Sequence, residues 1–387
     1  MNGLYTPPNA IAIIPNLSFH AKSMKLEHGD SKNAMVLGIC IGESTMTHIP
    51  LVRQVTVAPA IAYLAAEGVP VRRYLRRARL STPSPGALEK LVPFHQVCDF
   101  LSSVARAEGI HDLGFRVTGQ QGMEHLGMYG RLLAQALTLH DLIQTSLGLI
   151  SSYNSGLRIW LERHQGQVRY CQKFAETLPQ DQLTEVIHFG LASAMVISRY
   201  ARGADWQPNR LELASGPVDL ALHFPGLADL PVFFHQPHTS VWFDEALLST
   251  PLPAFDTSHC PPADEQDRTS FVRSAPAADL VGQLEQAIKS ALGHSKMSLR
   301  LTAAIIGTSP RTLQRRLAER GSSFSHVHQG VRFRNAQRLL EDPRVPLAEI
   351  AKRLGYTDLA NFIRAFKHWT GVGPHQYRQL HYKDNRQ

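Results

Sequence analysis

The chain has 387 residues, of which 43% are apolar and 19% charged, with a formal net charge of +8. That length accommodates two or three domains with real cores, and the composition excludes a disordered chain. The longest apolar runs, such as Ala60–Ala66 and Leu191–Ile197, fall far short of the ~20 residues of a membrane helix, so a membrane-spanning protein is excluded.

Taken in order, residues 1–52 hold Pro7, Pro8 and Pro15 among short apolar runs and are treated as an N-terminal extension of unassigned order. Ala10–Ile14 is preceded by no Lys or Arg, so a secretory leader is not expected. Residues 53–250 read as an α+β domain. Helices are predicted after Pro59, across Pro85–Ala107 (Val97, Leu101, Val104), and as one span from Met128 to Ser146. Leu157, Ile159 and Leu161 alternate with polar residues, and Gly166 separates them from Val168–Phe174, which predicts a β-hairpin. Leu183–Tyr200 predicts a long buried helix; Arg210–Ala214, Val232–His235 and Ser240–Phe243 predict short strands. Residues 251–277, with Pro251, Pro253, Pro261, Pro262 and Pro276, read as a linker. From 278 to 387 every signal is helical. Cys40, Cys98, Cys171 and Cys260 lie 58 or more residues apart, which predicts reduced cysteines in a cytoplasmic protein.

Charge separates the two halves. Residues 281–387 carry 18 Lys/Arg against 7 Asp/Glu, a net +11, which leaves 22 against 25 for residues 1–280. A basic third on a nearly neutral body is the footprint of a polyanion-binding module, or else a solvated basic surface.

Within the basic third one design occurs twice. Leu299, Ala303 and Ile306 precede Gly307; Leu347, Ile350, Ala351 and Leu354 precede Gly355. A small alanine admits a closely crossing helix, and glycine allows the left-handed turn that ends the first helix, as a helix-turn-helix requires. Ser309, with Pro310 behind it, and Asp358 then supply caps for two following helices. Leu313/Leu317 and Phe362/Phe366 face inward at a spacing of four. Arg311, Gln314 and Arg315 project from the first helix, and Ala360, Asn361, Arg364 and Lys367 from the second, with Ile363 sharing that outer face. In a major groove Arg reads guanine, Asn or Gln reads adenine, and an aliphatic side chain meets the thymine methyl.

These residues resemble the AraC/XylS family of transcription regulators. The matching text is SPRTLQRRL (309–317), GSSF (321–324), VRFRNAQRLL (331–340), LAEIAKRLGYTD (347–358), NFIRAFKHWTG (361–371) and P-x-x-YR (374–378), in family order and spacing. The resemblance implies two helix-turn-helix subdomains joined by a central helix, Phe324–Leu340. It puts base reading on Arg311, Gln314 and Arg315, then on Leu359, Ala360, Ile363 and Arg364. The full set expected at DNA is Ser309, Arg311, Thr312, Gln314, Arg315, Leu359, Ala360, Asn361, Ile363, Arg364 and Lys367. GMEHLGMYGRLLAQALTLHDLIQTS, the RIWLERHQGQVRY hairpin and FFHQPHTSVWFDEALLSTPLP resemble the arabinose-binding-like sensor domain of a subgroup that includes ornithine-utilisation and virulence regulators. The expected protein is thus an α+β sensor joined to an all-α DNA-binding domain. Its expected partners are promoter DNA, RNA polymerase, a second copy of itself, and a small effector (an amino acid, organic acid or fatty acid).

Several other features read as structure. RRYLRRAR (72–79) reads as a solvated short helix with Leu75 and Ala78 inward, and Met123–Tyr129 as core. His235 and His238, in HQPH, read as a strand-end turn because no cysteine or acidic cluster neighbours them in sequence. His326 and His328 do not share a helix face. No G-x-S-x-G elbow, P-loop or G-x-G-x-x-G occurs, and no metal, cofactor or catalytic residue is expected. A repair-type alkyl-transfer enzyme fused to this DNA-binding module would need clustered cysteines. A sensor that only dimerises or binds a protein has no sequence feature to set it apart.

Overall fold

The computed structural model describes residues 35–37, 48–118, 122–175, 178–203, 205–224, 227, 229–253, 261–291 and 297–382. Most of the 1–52 extension therefore lies outside the described residues. Among the described residues, eight strands form two sheets: β1 (Met35–Leu37), β2 (Leu51–Arg53), β3 (Leu91–Pro93), β4 (Leu157–His164), β5 (Gln167–Phe174), β6 (Arg210–Glu212), β7 (Val232–Phe233) and β8 (Thr239–Asp244). The larger sheet has the order β1-β4-β5-β8-β6-β7, antiparallel except for β6 and β7; β2 and β3 pair separately. The N-terminal helices are α1 (Ala58–Ala66), α2 (Val71–Ala78), α3 (Phe94–Glu108), α4 (Leu113–Thr118), α5 (Met128–Leu133), α6 (Leu139–Tyr153) and α7 (Gln180–Arg202). The C-terminal ones are α8 (Glu265–Arg273), α9 (Leu280–Ala291), α10 (Leu299–Ile305), α11 (Pro310–Ala318), α12 (Phe324–Leu340), α13 (Leu347–Arg353), α14 (Leu359–Thr370) and α15 (Pro374–Tyr382).

The predicted hairpin is β4–β5. Gln165 and Gly166 both have positive φ, 49° and 79°, as a two-residue turn matched to strand twist demands. Alternation then sends Ile159, Leu161 and Val168 into one core with Val241 and Phe243 of β8 and Leu139, Ile143, Leu191 and Met195 of α6 and α7. The opposite face of the sheet carries Trp160, Glu162, Arg169 and Trp242, all partly exposed. In α2, Leu75 and Ala78 are buried and the flanking arginines are exposed, as read from the sequence.

Four expectations change. The helix predicted over Met128–Ser146 is two helices, α5 and α6. The Leu137 carbonyl accepts from Leu252 N (3.0 Å) and Leu139 N donates to Thr250 O (3.1 Å), so the backbone there pairs with a distant segment, and Thr138 caps α6 through Asp141 N (3.2 Å). The span Pro85–Ala107 is not one helix either: Leu91–Pro93 pairs with Leu51–Arg53, and α3 begins only after Pro93. That pairing also puts the 52/53 boundary inside β2. Finally, residues 251–277 include α8, which starts in a capping box between Asp264 and Asp267 and buries Phe271. Every proline of that stretch lies outside α8, so none breaks it.

Gly114 lets α4 cross α7 closely: a Cβ there would collide with the Glu185 carbonyl and lie 2.7 Å from Phe189 N. Gly114 N in turn donates to the Glu185 carboxylate (2.9 Å). Burial raises that carboxyl from 4.5 to about 7. The folded protein therefore holds this proton more tightly than the unfolded chain does, and the Glu185 contribution to stability declines as pH rises from about 4.5 to about 7. His188, held down to about 4 by burial, acts in the opposite sense, so the informative measurement is a comparison. The Glu185→Gln variant should gain on the parent in urea midpoint as pH climbs through that window; a difference that is flat with pH would contradict this.

Candidate nucleic-acid interface

Both predicted helix-turn-helix units form, α10–α11 and α13–α14, with α12 between them. Their turns are built alike. Gly307 (φ 71°) follows α10, with Gly307 N donating to Ala304 O and Thr308 N to Ala303 O (2.8 Å). Gly355 (φ 75°) follows α13, with Gly355 N donating to Lys352 O and Tyr356 N to Ala351 O (2.9 Å). This paired return to the last helical turn needs a left-handed residue that glycine adopts without cost. It explains the repeated Ala-x-x-x-Gly.

Caps then start the second helix of each unit. Ser309 Oγ accepts from Thr312 N (3.1 Å), and Asp358 Oδ1 accepts from Asn361 N (2.7 Å). That bond and the neighbouring Thr357, Asn361 and Arg364 hold the Asp358 carboxyl below its usual value, so this cap persists at neutral pH and is lost only as pH falls through that lowered value. Leu313 and Leu317 pin α11 to a core with Ala303, Ile305, Val327 and Val331. Phe362 and Phe366 pin α14 to Ala336, Leu340, Ile350, Ala351 and Leu354. The first half of α12 thus completes one unit and its second half the other.

What the cores leave outside is the set read from the sequence. Ser309, Arg311, Gln314 and Arg315 are exposed on α11 and its cap, with Thr312 half-buried. On α14, Leu359, Ala360, Arg364 and Lys367 are exposed, and Asn361 and Ile363 are half-buried. One residue also bonds within its own turn. The Asn361 amide donates to Asp358 Oδ2 and to Thr357 (3.2 Å), and its oxygen accepts from Arg364 Nη2 (2.6 Å). Asn361 therefore closes the cap and orients Arg364.

Sequence reasoning missed the residues that brace these units. Arg332 of α12 donates to Gly355 O (3.2 Å) and lies 4.5 Å from the centroid of the Tyr356 ring, clamping the second turn. Arg378 donates to Leu340 O and Val345 O (2.8 Å), and Tyr377 OH accepts from Gln337 (2.8 Å). The P-x-x-YR text held that signal. Contact with the N-terminal part was also unforeseen. Leu280, Leu284 and Ile288 of α9 share a core with Ile49, Leu51 and Leu91, Ile49 N donates to Gln283 (2.6 Å), and Lys90 Nζ donates to Ser290 O (2.7 Å). His95 of α3 lies against the first turn, 3.1 Å from where a Cβ on Gly307 would sit.

A family model for the helix-turn-helix domain matches residues 302–380. A second, for the N-terminal arabinose-binding domain of AraC transcription regulators, matches residues 68–252. The chain belongs to the AraC family of transcription regulators. An uncharacterised helix-turn-helix-type transcriptional regulator of Mycobacterium tuberculosis is 26% identical over 311 residues, covering 76% of this chain and 84% of that one. The ornithine utilization regulator of Pseudomonas aeruginosa is 26% identical over 189 residues, 49% of this chain and 56% of that one. The crystal structure of the regulator CdpR from Pseudomonas aeruginosa is 23% identical, covers 80% of this chain and 96% of its own, and superposes with a TM-score of 0.35. This AraC-family regulator thus has a helix-turn-helix DNA-binding domain and an arabinose-binding-like N-terminal domain. Among its described residues no helix is long and apolar enough to cross a membrane.

Proposed function

We propose that this regulator is a cytoplasmic, sequence-specific activator that binds promoter DNA as a homodimer, engages RNA polymerase, and responds to a small organic effector. The observation that carries the DNA reading is the pair of capped helices, α11 and α14, each with its apolar side locked into its own core and Arg311, Arg315 or Arg364 facing out. A helix of this kind fits the major groove, and two per chain suit successive grooves. Titrating the full-length protein onto promoter DNA should give affinity that falls ~10³–10⁵-fold between roughly 50 and 200 mM salt, as 6–10 phosphate contacts would require. Salt-independent binding would reject the reading. The names of the relatives favour a regulator over an enzyme fused to a DNA-binding module.

For the effector, volume argues for the border of the sensor domain over its interior. The cavity between α6, α7 and the sheet holds about 20 Å³, room for about one water. The cleft where the N-terminal part meets α9, α12 and α13 holds about 770 Å³, the size of a ligand site. Lys90, Arg273, Lys289, Arg338 and Arg353 line it against Glu89, which favours an organic or fatty acid within the expected classes. Bound there, it would favour one arrangement of the two parts over another. A thermal-shift screen of such acids tests this; saturation without change in DNA affinity or transcription would overturn it.

The dimer reading draws nothing from the apolar sides of α6 and α7, which pack on the chain's own sheet. What supports it is that pairing half-sites multiplies modest affinities by ~10²–10⁴. Light scattering that finds a monomer at micromolar concentration, binding single and paired half-sites equally per site, would reject it.

A further inference from the structure

The face of the larger sheet opposite its core carries a group of side chains that the DNA-binding reading does not use. Cys171 on β5 stands opposite Trp160 on β4 and Ser240 on β8. Glu162 lies two residues beyond Trp160, and His238 two residues before Ser240, so the pleat puts all three on the same face, with Glu162 and His238 reaching toward Cys171 from opposite directions along the strands. One ligand atom each from Glu162, Cys171 and His238 lie within 4.8 Å of one another. The HQPH segment was read as a strand-end turn because its sequence neighbours hold no cysteine or acidic cluster. His235 does take a turn conformation, with φ 57°. The sheet register, however, supplies His238 with both a thiol and a carboxylate from strands far away in sequence.

Each group is placed as a metal ligand would be. Glu162 is held at both oxygens: Oε1 accepts from Trp160 Nε1 (2.8 Å) and Oε2 from Arg169 Nη1 (2.9 Å). Arg169 is shared with Glu212, which also accepts from Ser240 Oγ (2.6 Å), so its charge is already balanced by two carboxylates. Such outer bonds fix the orientation of a ligating carboxylate and leave each oxygen a lone pair. Cys171 is fully buried, and its Sγ makes a long contact of 3.7 Å to Arg169 O. His238 Nε2 is a buried nitrogen with no hydrogen-bond partner among the described residues. Burial, then Arg169, lowers the His238 pKa, so the ring is neutral at neutral pH, the form that ligates.

We propose that Glu162, Cys171 and His238 form a binding site for a divalent transition-metal ion of the zinc class. One thiolate, one imidazole and one carboxylate are a set that zinc accepts, with solvent or a further ligand at the fourth position, whereas a thiolate disfavours magnesium or calcium. Zinc bonds of about 2.0–2.3 Å imply donors about 3.3–3.8 Å apart in a tetrahedron. Closing from the present spacing takes shifts of about 1 Å in the ligand atoms. Burial pushes the Cys171 thiol up, so it enters protonated; on binding, the S–H bond breaks, the S–metal bond forms, and the proton leaves to buffer. The site is distinct from the basic cleft and stands whether or not an organic acid binds there.

The test uses reduced, chelator-treated full-length protein, titrated calorimetrically with Zn²⁺ in two buffers of different ionisation enthalpy, and with Co²⁺ in a spectrophotometer. The expected result is a single equivalent of Zn²⁺ bound, about one proton released, and a thiolate-to-cobalt charge-transfer band. Cys171→Ala should abolish that band. Because Cys171 is buried and its loss could disturb the sheet, His238→Gln at the strand end provides the second arm. It should keep the melting temperature of the metal-free protein yet weaken Zn²⁺ binding by more than the ~10–100-fold that loss of an outer-shell partner costs. No stoichiometric binding by the parent, or unchanged affinity in His238→Gln, would overturn the proposal.

Discussion

Replacing Arg53 with alanine is expected to destabilise the N-terminal part by about 3–5 kcal/mol, the range for removing one partner from a buried charged network. The Arg53 side chain is 1% exposed, and its guanidinium sits where β2, the end of α6 and α8 converge. It donates to Ser152 O (2.9 Å), Glu89 O (2.9 Å), Phe271 O (2.8 Å) and Ser274 Oγ (3.1 Å), and lies 4.3 Å from the centroid of the Phe271 ring. Alanine would take this donor from the Ser152 and Glu89 carbonyls and the cationic partner from Phe271, whose carbonyl would keep only the Ser274 hydroxyl (3.1 Å). Lysine keeps the charge but not the planar fork, so Arg53→Lys should recover only part of the loss. Urea unfolding of the full-length protein measures this; a loss under about 1 kcal/mol would show that α8 is held by other contacts. Since α8 leads into α9 and the DNA-binding domain, the same variant reports how firmly the two parts are coupled.

Replacing Phe366 with alanine is expected to cost about 3–5 kcal/mol within the second helix-turn-helix unit, the range for a buried aromatic. Its ring is fully buried and contacts the rings of Tyr377 (5.2 Å), Phe362 (5.7 Å), Phe333 (6.0 Å) and Trp369 (6.2 Å). Those side chains come from α12, α14 and α15, so the cavity would loosen everything that positions α14. Phe366→Leu, which retains much of the volume, should cost less. The first unit has a separate core around Leu313 and Leu317 and should keep its helix. Hydrogen exchange resolved by segment checks this: protection should fall over α13–α15 and persist over α10–α11. Equal loss in both would mean that α12 couples them into one cooperative unit.

These two sites also show what the sequence made legible. The helix-turn-helix units are written locally. Ala303 with Gly307 and Ala351 with Gly355 end one helix, Ser309 and Asp358 start the next, and each bond joins residues at most five apart. The β4–β5 hairpin was legible for the same reason, since Gly166 lies in its turn. The break between α5 and α6 was not, because residues 137–139 are claimed by residues 250–252, which no window along the chain contains. Helix α8 was hidden by the prolines around it, although Asp264 and Asp267 spell its cap. The convergence of Glu162, Cys171 and His238 depends on strand order and register. The bonds from the Asn361 amide to Asp358 and Thr357 were not read from the sequence, because residue type alone does not show which local partners a side chain takes.

The central claim is that α11 and α14 present side chains that read bases. It is tested most directly by measuring the binding of the parent, Arg315→Ala and Arg364→Ala proteins to a set of promoter duplexes that differ one base pair at a time. Each variant should lose ~1–3 kcal/mol on the preferred site and lose its base preference at one position, with the two positions in successive major grooves about 10 base pairs apart. Uniform weakening across every duplex would contradict the claim, making both arginines phosphate contacts and leaving base recognition to other residues.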